Sequence, residues 1–255
     1  MQPVSSLKLA IAEYYQYGLH CSSRELPDAL VDVRTTGLHI SAERLSERVI
    51  HDIGQFCQQA LRDHPGVVAT ESNGADSRIY GVDRLPGQTC IDELGQSLVP
   101  LAQQFYGADR VHYFCMFGQI QATSVNAGSG SGWHRDSPFR HQFKSIIYLT
   151  DVTEENGPFE FIRGTHQKQS LVVTAAALRR PLAADRFADT EIASLHASTN
   201  LPQPTAVIGP AGSIVHVDTR GLHRGRPLRQ SMRRAITFYF YAGRFPKGIP
   251  LVPAA

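Results

Sequence analysis

The chain has 255 residues, of which 42% are hydrophobic and 19% are charged. These fractions are typical of a globular protein and exclude a long disordered or fibrous segment. With 25 Lys and Arg against 23 Asp and Glu, the net charge is too small to draw the protein to nucleic acid or to an anionic membrane. We expect a single folded domain over residues 1–255, because this length allows a sizeable core.

The cysteines and the N-terminal segment favour a cytoplasmic protein. The four cysteines are scattered without a CxxC pair, so the sequence predicts neither a zinc knuckle nor a dense disulfide framework. The N-terminal segment MQPVSSLKLAIAEYYQYG lacks the apolar run of a secretory leader, and no apolar stretch of about 18 residues occurs later. We therefore expect reduced thiols, a cytoplasmic location and no membrane partner.

Two segments in the first hundred residues have helical periodicity. Residues 41–63 place apolar side chains on one stripe, and Ser41 is a candidate N-cap. A second helix is predicted over residues 92–106, with Pro100 inside it. We expect residues 1–109 to be mostly a helical addition that contributes to the substrate side of the molecule.

From residue 111 the pattern changes to short β-rich runs separated by turn residues. The runs are VHYFCMFGQIQA, FKSIIYLT, PFEFI, SIVHVD and AITFYFY. Such a set of short strands predicts an antiparallel fold, and a jelly roll is one standard way to remove exposed strand edges. We expect a mainly β fold with flanking α elements: a double-stranded β-helix (jelly-roll) core over residues 110–241, followed by a C-terminal tail.

Candidate metal ligands lie in the segment Trp133-His134-Arg135-Asp136. His134 and Asp136 are two residues apart, so their side chains point to the same face if the segment is extended. Two histidines and one carboxylate leave three positions open on an octahedral iron(II), which is enough for a bidentate co-substrate and O2. His223, just past the run SIVHV, is the best candidate for the third ligand.

An oxygenase that uses 2-oxoglutarate also needs a cation for the distal carboxylate, and Arg233 and Arg234 compete for this role. If residues 233–241 form a strand, one face carries Arg234, Ile236, Phe238 and Phe240, and the other carries Arg233, Ala235, Thr237 and Tyr239. We take the apolar face as the interior. A guanidinium directed inward needs an anion, so this reasoning selects Arg234.

Together these motifs resemble the phytanoyl-CoA dioxygenase family. The similarity covers WHRD, the block IIYLTDVTEENGPFEFIRGTHQ at residues 146–167, and GLHRG followed by Arg234. The resemblance implies a jelly-roll core, with 2-oxoglutarate and O2 as co-substrates and Arg234 as the 2-oxoglutarate anchor. It implies that Fe(II) is held by His134, Asp136 and His223. It also makes Gln119 and Gln121, on the strand before HxD, candidates for contact with the co-substrate.

We expect a dioxygenase that hydroxylates a C–H bond of a small molecule and releases succinate and CO2. Desaturation, epoxidation and ring formation stay open as outcomes, whereas Asp136 in the carboxylate position argues against halogenation. Arg135, between two ligands, is a candidate contact for an anionic substrate, and residues 219–255 are locally basic because they contain no Asp or Glu.

Two other functions remain open from the sequence. One is a cupin-like metalloenzyme with the same facial ligands that does not use 2-oxoglutarate, for which Arg234 would be dispensable. The other is a non-catalytic module that binds a metal or a metabolite.

Overall fold

Two antiparallel sheets form the centre of the protein in the computed structural model, which describes residues 26–70, 74–123, 128–246 and 248–253. The strands are β1 (Leu38–Arg44), β2 (Val68–Thr70), β3 (Asp76–Tyr80), β4 (His112–Gln121), β5 (Trp133–His134), β6 (Phe143–Tyr148), β7 (Phe159–Phe161), β8 (Arg186–Phe187), β9 (Thr205–Val207), β10 (Ser213–Asp218), β11 (His223–Gly225) and β12 (Met232–Tyr241). The large sheet has the order β1-β10-β6-β12-β4-β3-β2, and the small sheet has the order β8-β5-β11-β7-β9. The prediction of a mainly β jelly roll with flanking helices is confirmed.

The helices of the described segments are α1 (Asp28–Thr36), α2 (Glu47–Asp63), α3 (Thr89–Tyr106), α4 (Lys168–Leu178) and α5 (Asp189–Ser198). None of them is long and apolar enough to cross a bilayer. The helix predicted over residues 92–106 is present as α3, and Pro100 lies inside it. Helices α4 and α5 were not expected in the β-rich part of the sequence.

The start predicted for the first helix is wrong. The side chain of Ser46, and not that of Ser41, caps α2, because it accepts a hydrogen bond from the Val49 amide at 3.4 Å. Ser41 lies in β1, which pairs with β10. The prediction that residues 1–109 are mostly helical is incomplete, since β1 and β3 both belong to the large sheet. Strand pairing across the fold outweighs the local helical periodicity there.

Both faces of the large sheet are covered. On the outer face, Ile236, Phe238 and Phe240 pack in one core cluster with residues of α2 and α3, including Ile53, Cys57, Ala102 and Phe105. On the inner face, residues of β6 and β10 pack against Phe159, Phe161 and Val207 of the small sheet. The apolar side of β12 therefore faces the helices, and its mixed side faces the small sheet.

We expect Ile236→Ala to lower the free energy of unfolding by about 2–5 kcal/mol, because Ile236 is 0% exposed and truncation leaves a cavity. The same substitution at Ile208, which is 53% exposed, should change it by less than about 0.5 kcal/mol. Urea denaturation followed by circular dichroism measures both. Equal losses in the two variants would contradict the assignment of the core to this face.

Candidate metal and co-substrate site

Antiparallel pairing brings the three candidate ligands together. Strands β5 and β11 pair with His134 opposite His223, and Asp136 follows two residues after His134. The Oδ1 atom of Asp136 lies 3.8 Å from Nε2 of His134 and 3.9 Å from Nε2 of His223. In the part of the chain that the structure describes, these three residues form the one cluster of this kind, with ligand atoms within 4.8 Å of one another.

Two backbone carbonyls fix the tautomers of the histidines. Nδ1 of His134 donates to the Gly132 carbonyl and Nδ1 of His223 donates to the Gly221 carbonyl, both at 2.9 Å. Because a carbonyl oxygen can only accept, Nδ1 carries the proton and the lone pair of Nε2 is free for a metal. Burial lowers the pKa of both imidazoles, so they are neutral, which is the form that binds a metal.

The carboxylate of Asp136 is held in its charged form. Desolvation raises the pKa of this group, but its charged surroundings, with Lys144 the largest contribution, outweigh it and bring the pKa below the usual carboxyl range. Lys144 forms an ion pair with Oδ2 of Asp136, on the side away from the histidines. Two neutral imidazoles and one ionised carboxylate form the facial set that suits iron(II) with three open positions. The residues present therefore fit the metal that the motif implies.

A cavity of about 360 Å³ lies between the sheets and includes His134, Asp136 and His223 in its wall. Alternate residues of three neighbouring strands of the large sheet form its floor. They are Phe114, Met116, Gly118 and Ile120 of β4, Arg233, Ala235, Thr237 and Tyr239 of β12, and Lys144, Ile146 and Tyr148 of β6. This volume is within the usual range for small-molecule sites.

The expectation that Arg234 faces the metal site is wrong. Its Nε atom donates to Oε1 of Gln119 at 2.8 Å, and the two residues are partners in the β12–β4 register. Neither residue is among those that line the cavity, and Gln121 is exposed at the end of β4. The assumption behind the selection fails because the apolar face of β12 is the face that packs against the helices.

Arg233 lies in the cavity instead. It is 7% exposed, and its guanidinium donates to the Gly157 carbonyl. Within the described ranges no carboxylate pairs with it, whereas Arg78 pairs with Asp76 and Lys144 pairs with Asp136. Burial lowers the pKa of Arg233, but a guanidinium keeps its charge in proteins. A buried cation in this position favours binding of an anion.

Arg135 is among the residues that line the cavity, but its side chain is engaged by the protein. It is 2% exposed, and its guanidinium donates to the carbonyl of Thr165 and, at 2.7 Å, to that of Arg220. The alternation that brings His134 and Asp136 to one side sends the residue between them to the other. Arg135 therefore holds two loops together, and its contact with an anionic substrate stays a prediction.

Two arginines of the basic C-terminal run stabilise the small sheet. Arg224 forms ion pairs at 2.6 Å with both Glu160 and Asp189, and Arg226 pairs with Glu160 at 2.7 Å. Because Glu160 belongs to β7, these ion pairs connect β11 to its neighbour. The two side chains are thus engaged in structure, and the local excess of positive charge does not reach the cavity through them.

Sequence reasoning missed Lys144 and rejected Arg233. The available signal for Lys144 was its place inside the apolar run FKSIIY, since a lysine in a buried strand requires a partner of opposite charge. Arg233 could be recognised only from knowledge that helices cover the other face of β12.

A protein-family model, Phytanoyl-CoA dioxygenase (PhyH), matches residues 39–235 of the chain. No curated protein matches the sequence significantly.

Solved structures share the fold at low sequence identity. EvdMO1 superposes with a TM-score of 0.59 and 18% identity over 83% of this chain, but this chain spans about half of it (48%). The non-heme alpha ketoglutarate dependent carbocyclase SnoK from nogalamycin biosynthesis gives a TM-score of 0.59 at 16% identity, covering 85% of this chain and 84% of SnoK. HygX from Streptomyces hygroscopicus, solved with nickel, 2-oxoglutarate and hygromycin B, gives 0.55 at 16% identity, covering 85% of this chain and 87% of HygX.

A close contact at Gly130 allows a test of the metal site. A Cβ atom on Gly130 would lie 2.2 Å from Cε1 of His134, whereas one on Gly132 would meet nothing within 4 Å, and both glycines have positive φ. We expect Gly130→Ala to weaken Fe(II) binding at least tenfold in anaerobic titrations, because His134 must move. Gly132→Ala carries the same backbone strain without the clash and is the control. Equal affinities in the two variants would contradict the placement of His134.

Proposed function

We propose, from the premise that this chain belongs to the phytanoyl-CoA dioxygenase (PhyH) family, that it hydroxylates a C–H bond of a small molecule bound in the cavity. Membership of this family identifies the chain as an oxygenase that depends on iron and uses 2-oxoglutarate and O2. In the proposed reaction one oxygen atom enters the substrate. The other enters the new carboxylate of succinate, and CO2 leaves.

The observation that carries this proposal is that one cavity contains a facial ligand set and a buried cation for which the described residues provide no carboxylate partner. His134, Asp136 and His223 would hold the iron. When bound, Fe(II) supplies O2 activation coupled to the oxidative decarboxylation of 2-oxoglutarate. Arg233 would bind the distal carboxylate of 2-oxoglutarate through a bidentate pair of N–H donors.

The surroundings of Arg233 support this anchor. It follows Met232 at the start of β12 and pairs across the sheet with Ile120. The small residues Gly157 and Gly225 lie beside it, and a Cβ on Gly225 would come within 3.0 Å of an Nη atom of Arg233. The absence of side chains at these two positions leaves the guanidinium room to meet an anion.

The remaining wall of the cavity is suited to a small substrate with an apolar face. Tyr80, Phe114, Met116 and Gly118 line the side formed by β3 and β4. On this side Arg78 is already paired with Asp76, with Nε at 3.0 Å from both carboxylate oxygens. The paired charges require no opposite charge from the substrate. HygX, which contains hygromycin B and 2-oxoglutarate together, is an example of a small molecule bound in the same fold.

Two alternatives make different predictions. A cupin-like enzyme with the same ligands would not need Arg233, so 2-oxoglutarate would neither bind nor be consumed. A non-catalytic module would bind the metal or 2-oxoglutarate without turnover. The charge of Arg233, which no carboxylate of the described residues pairs, lies in the same cavity as the ligand set and favours the 2-oxoglutarate oxygenase over the first alternative.

Succinate release tests the reaction class. Protein reconstituted with Fe(II) without oxygen and then given 2-oxoglutarate and O2 should form succinate slowly even without the substrate, because uncoupled turnover is common in such enzymes. We expect His134→Ala to abolish iron binding and succinate formation together. Metal binding by the wild type with no succinate and no bound 2-oxoglutarate would favour the cupin-like alternative.

Neighbouring arginines provide a matched pair for the co-substrate site. We expect Arg233→Ala to raise the Kd for 2-oxoglutarate about 10- to 100-fold, since a charge-assisted bidentate pair is lost. Arg234→Ala, on the opposite face, should stay within about threefold of wild type, because its side chain donates to Gln119 and does not line the cavity. Anaerobic titration of the Fe(II) protein with 2-oxoglutarate measures the Kd of each variant. A larger rise in Kd for Arg234→Ala than for Arg233→Ala would identify Arg234 as the anchor.

A further inference from the structure

Lys144 is a charged residue in direct contact with the candidate metal ligand Asp136, and the family resemblance does not explain it. It is the second residue of β6, lies between its register partners Val217 of β10 and Tyr239 of β12, and is 5% exposed. Its ammonium group contacts Oδ2 of Asp136 and lies 4.0 Å from the centroid of the Tyr239 ring. Two separate contacts therefore fix the position of the charge.

The two oxygens of Asp136 have different neighbours. Oδ1 faces Nε2 of both histidines at 3.8 and 3.9 Å, whereas Oδ2 faces Lys144. The backbone amide of Asp136 donates to the Thr219 carbonyl at 3.0 Å, which holds the main chain but leaves the side-chain torsions unrestrained. With 26% of its side chain exposed, Asp136 is not enclosed tightly enough for packing alone to set the orientation of the carboxylate.

We infer that Lys144 is a positioning residue that holds Oδ2 of Asp136, so that the carboxylate offers a metal only Oδ1 and leaves a coordination position open for 2-oxoglutarate and O2. This inference rests on the proposed function.

The coordination count shows why this orientation matters. Carboxylates bind metals through either one oxygen or two. Three protein donor atoms on an octahedral ion leave three positions, which a chelating 2-oxoglutarate and O2 together require. A carboxylate bound through both oxygens would occupy a fourth position, and one of the co-substrates would then have to displace it. An ammonium on Oδ2 prevents this, because that oxygen already has a strong partner.

A merely structural role for Lys144 predicts a different pattern. If the lysine only stabilised the local fold, its loss would weaken metal binding and 2-oxoglutarate binding in parallel. If it restrains Oδ2, its loss leaves metal binding intact or strengthens it, since a repelling charge is removed and a second carboxylate oxygen becomes available. Only 2-oxoglutarate binding would then fall. The ratio of the two affinities therefore distinguishes the roles.

The test compares wild type, Lys144→Met and the control Lys168→Met, which removes an exposed lysine at the start of α4. Fe(II) affinity is measured anaerobically, and 2-oxoglutarate affinity is followed by the visible charge-transfer absorption of its Fe(II) complex. We expect the Kd of Lys144→Met for Fe(II) to be at most about threefold above that of wild type. Its affinity for 2-oxoglutarate should fall at least about tenfold, because the co-substrate must then displace a carboxylate oxygen from the metal. Lys168→Met should match wild type in both.

Circular dichroism establishes that each variant is folded, and Lys144→Leu, which likewise has no N–H donor on its side chain, takes the place of Lys144→Met if the latter does not fold. Unchanged 2-oxoglutarate affinity in the Lys144 variant, or a parallel loss of Fe(II) and 2-oxoglutarate binding, would overturn the inference while the oxygenase assignment stands. Failure of wild type to bind 2-oxoglutarate would overturn both.

Discussion

The antiparallel pairing of β5 with β11 sets the register on which the metal site depends. Residues directly opposite each other in such a pair have Cβ atoms about 4.5–5.5 Å apart, and here the opposed residues are His134 and His223. A slip of one residue would turn His223 to the other face of the sheet. The pairing of β11 with β7, supported by the ion pairs of Glu160 with Arg224 and Arg226, keeps that register in place.

Charge pairing then divides the groups of the cavity into two kinds. Asp76 with Arg78 and Asp136 with Lys144 are each neutral as a pair, so their desolvation is compensated within the protein. Among the described residues, the guanidinium of Arg233 donates to the Gly157 carbonyl and forms no ion pair with a carboxylate, so its charge is not compensated by the protein there. A cavity with this distribution of charge selects its ligands by their charge at Arg233 and by their shape elsewhere. The chemistry of the co-substrate is therefore fixed more tightly than that of the substrate.

The sequence was sufficient for the parts of the site that depend on local spacing. His134 and Asp136 lie two apart on an extended segment, and the strands that carry the site appear as short apolar runs. Selection between Arg233 and Arg234 required knowledge of which face of β12 meets the small sheet. Alternation identifies two faces but not their neighbours, and here the apolar face is buried against α2 and α3. Gln119 was placed near the co-substrate for the same reason. It lies on β4 opposite Arg234 of β12, and so on the same face of the sheet as Arg234.

The burial of one face of β12 against the helices explains how the fold can carry polar groups on the other face, in the interior between the sheets. Helices α2 and α3 bury one face of the large sheet in a cluster that includes Ile236, Phe238 and Phe240, and burial of apolar area there contributes most of the stability available to β12. The other face of the same strand therefore does not have to be apolar for β12 to be stable. It can hold Arg233, Thr237 and Tyr239 toward the cavity, each at a position where an apolar residue would otherwise pack better. The sheet thus separates stability and chemistry onto opposite faces of one strand, so substitutions on the two faces should affect different properties.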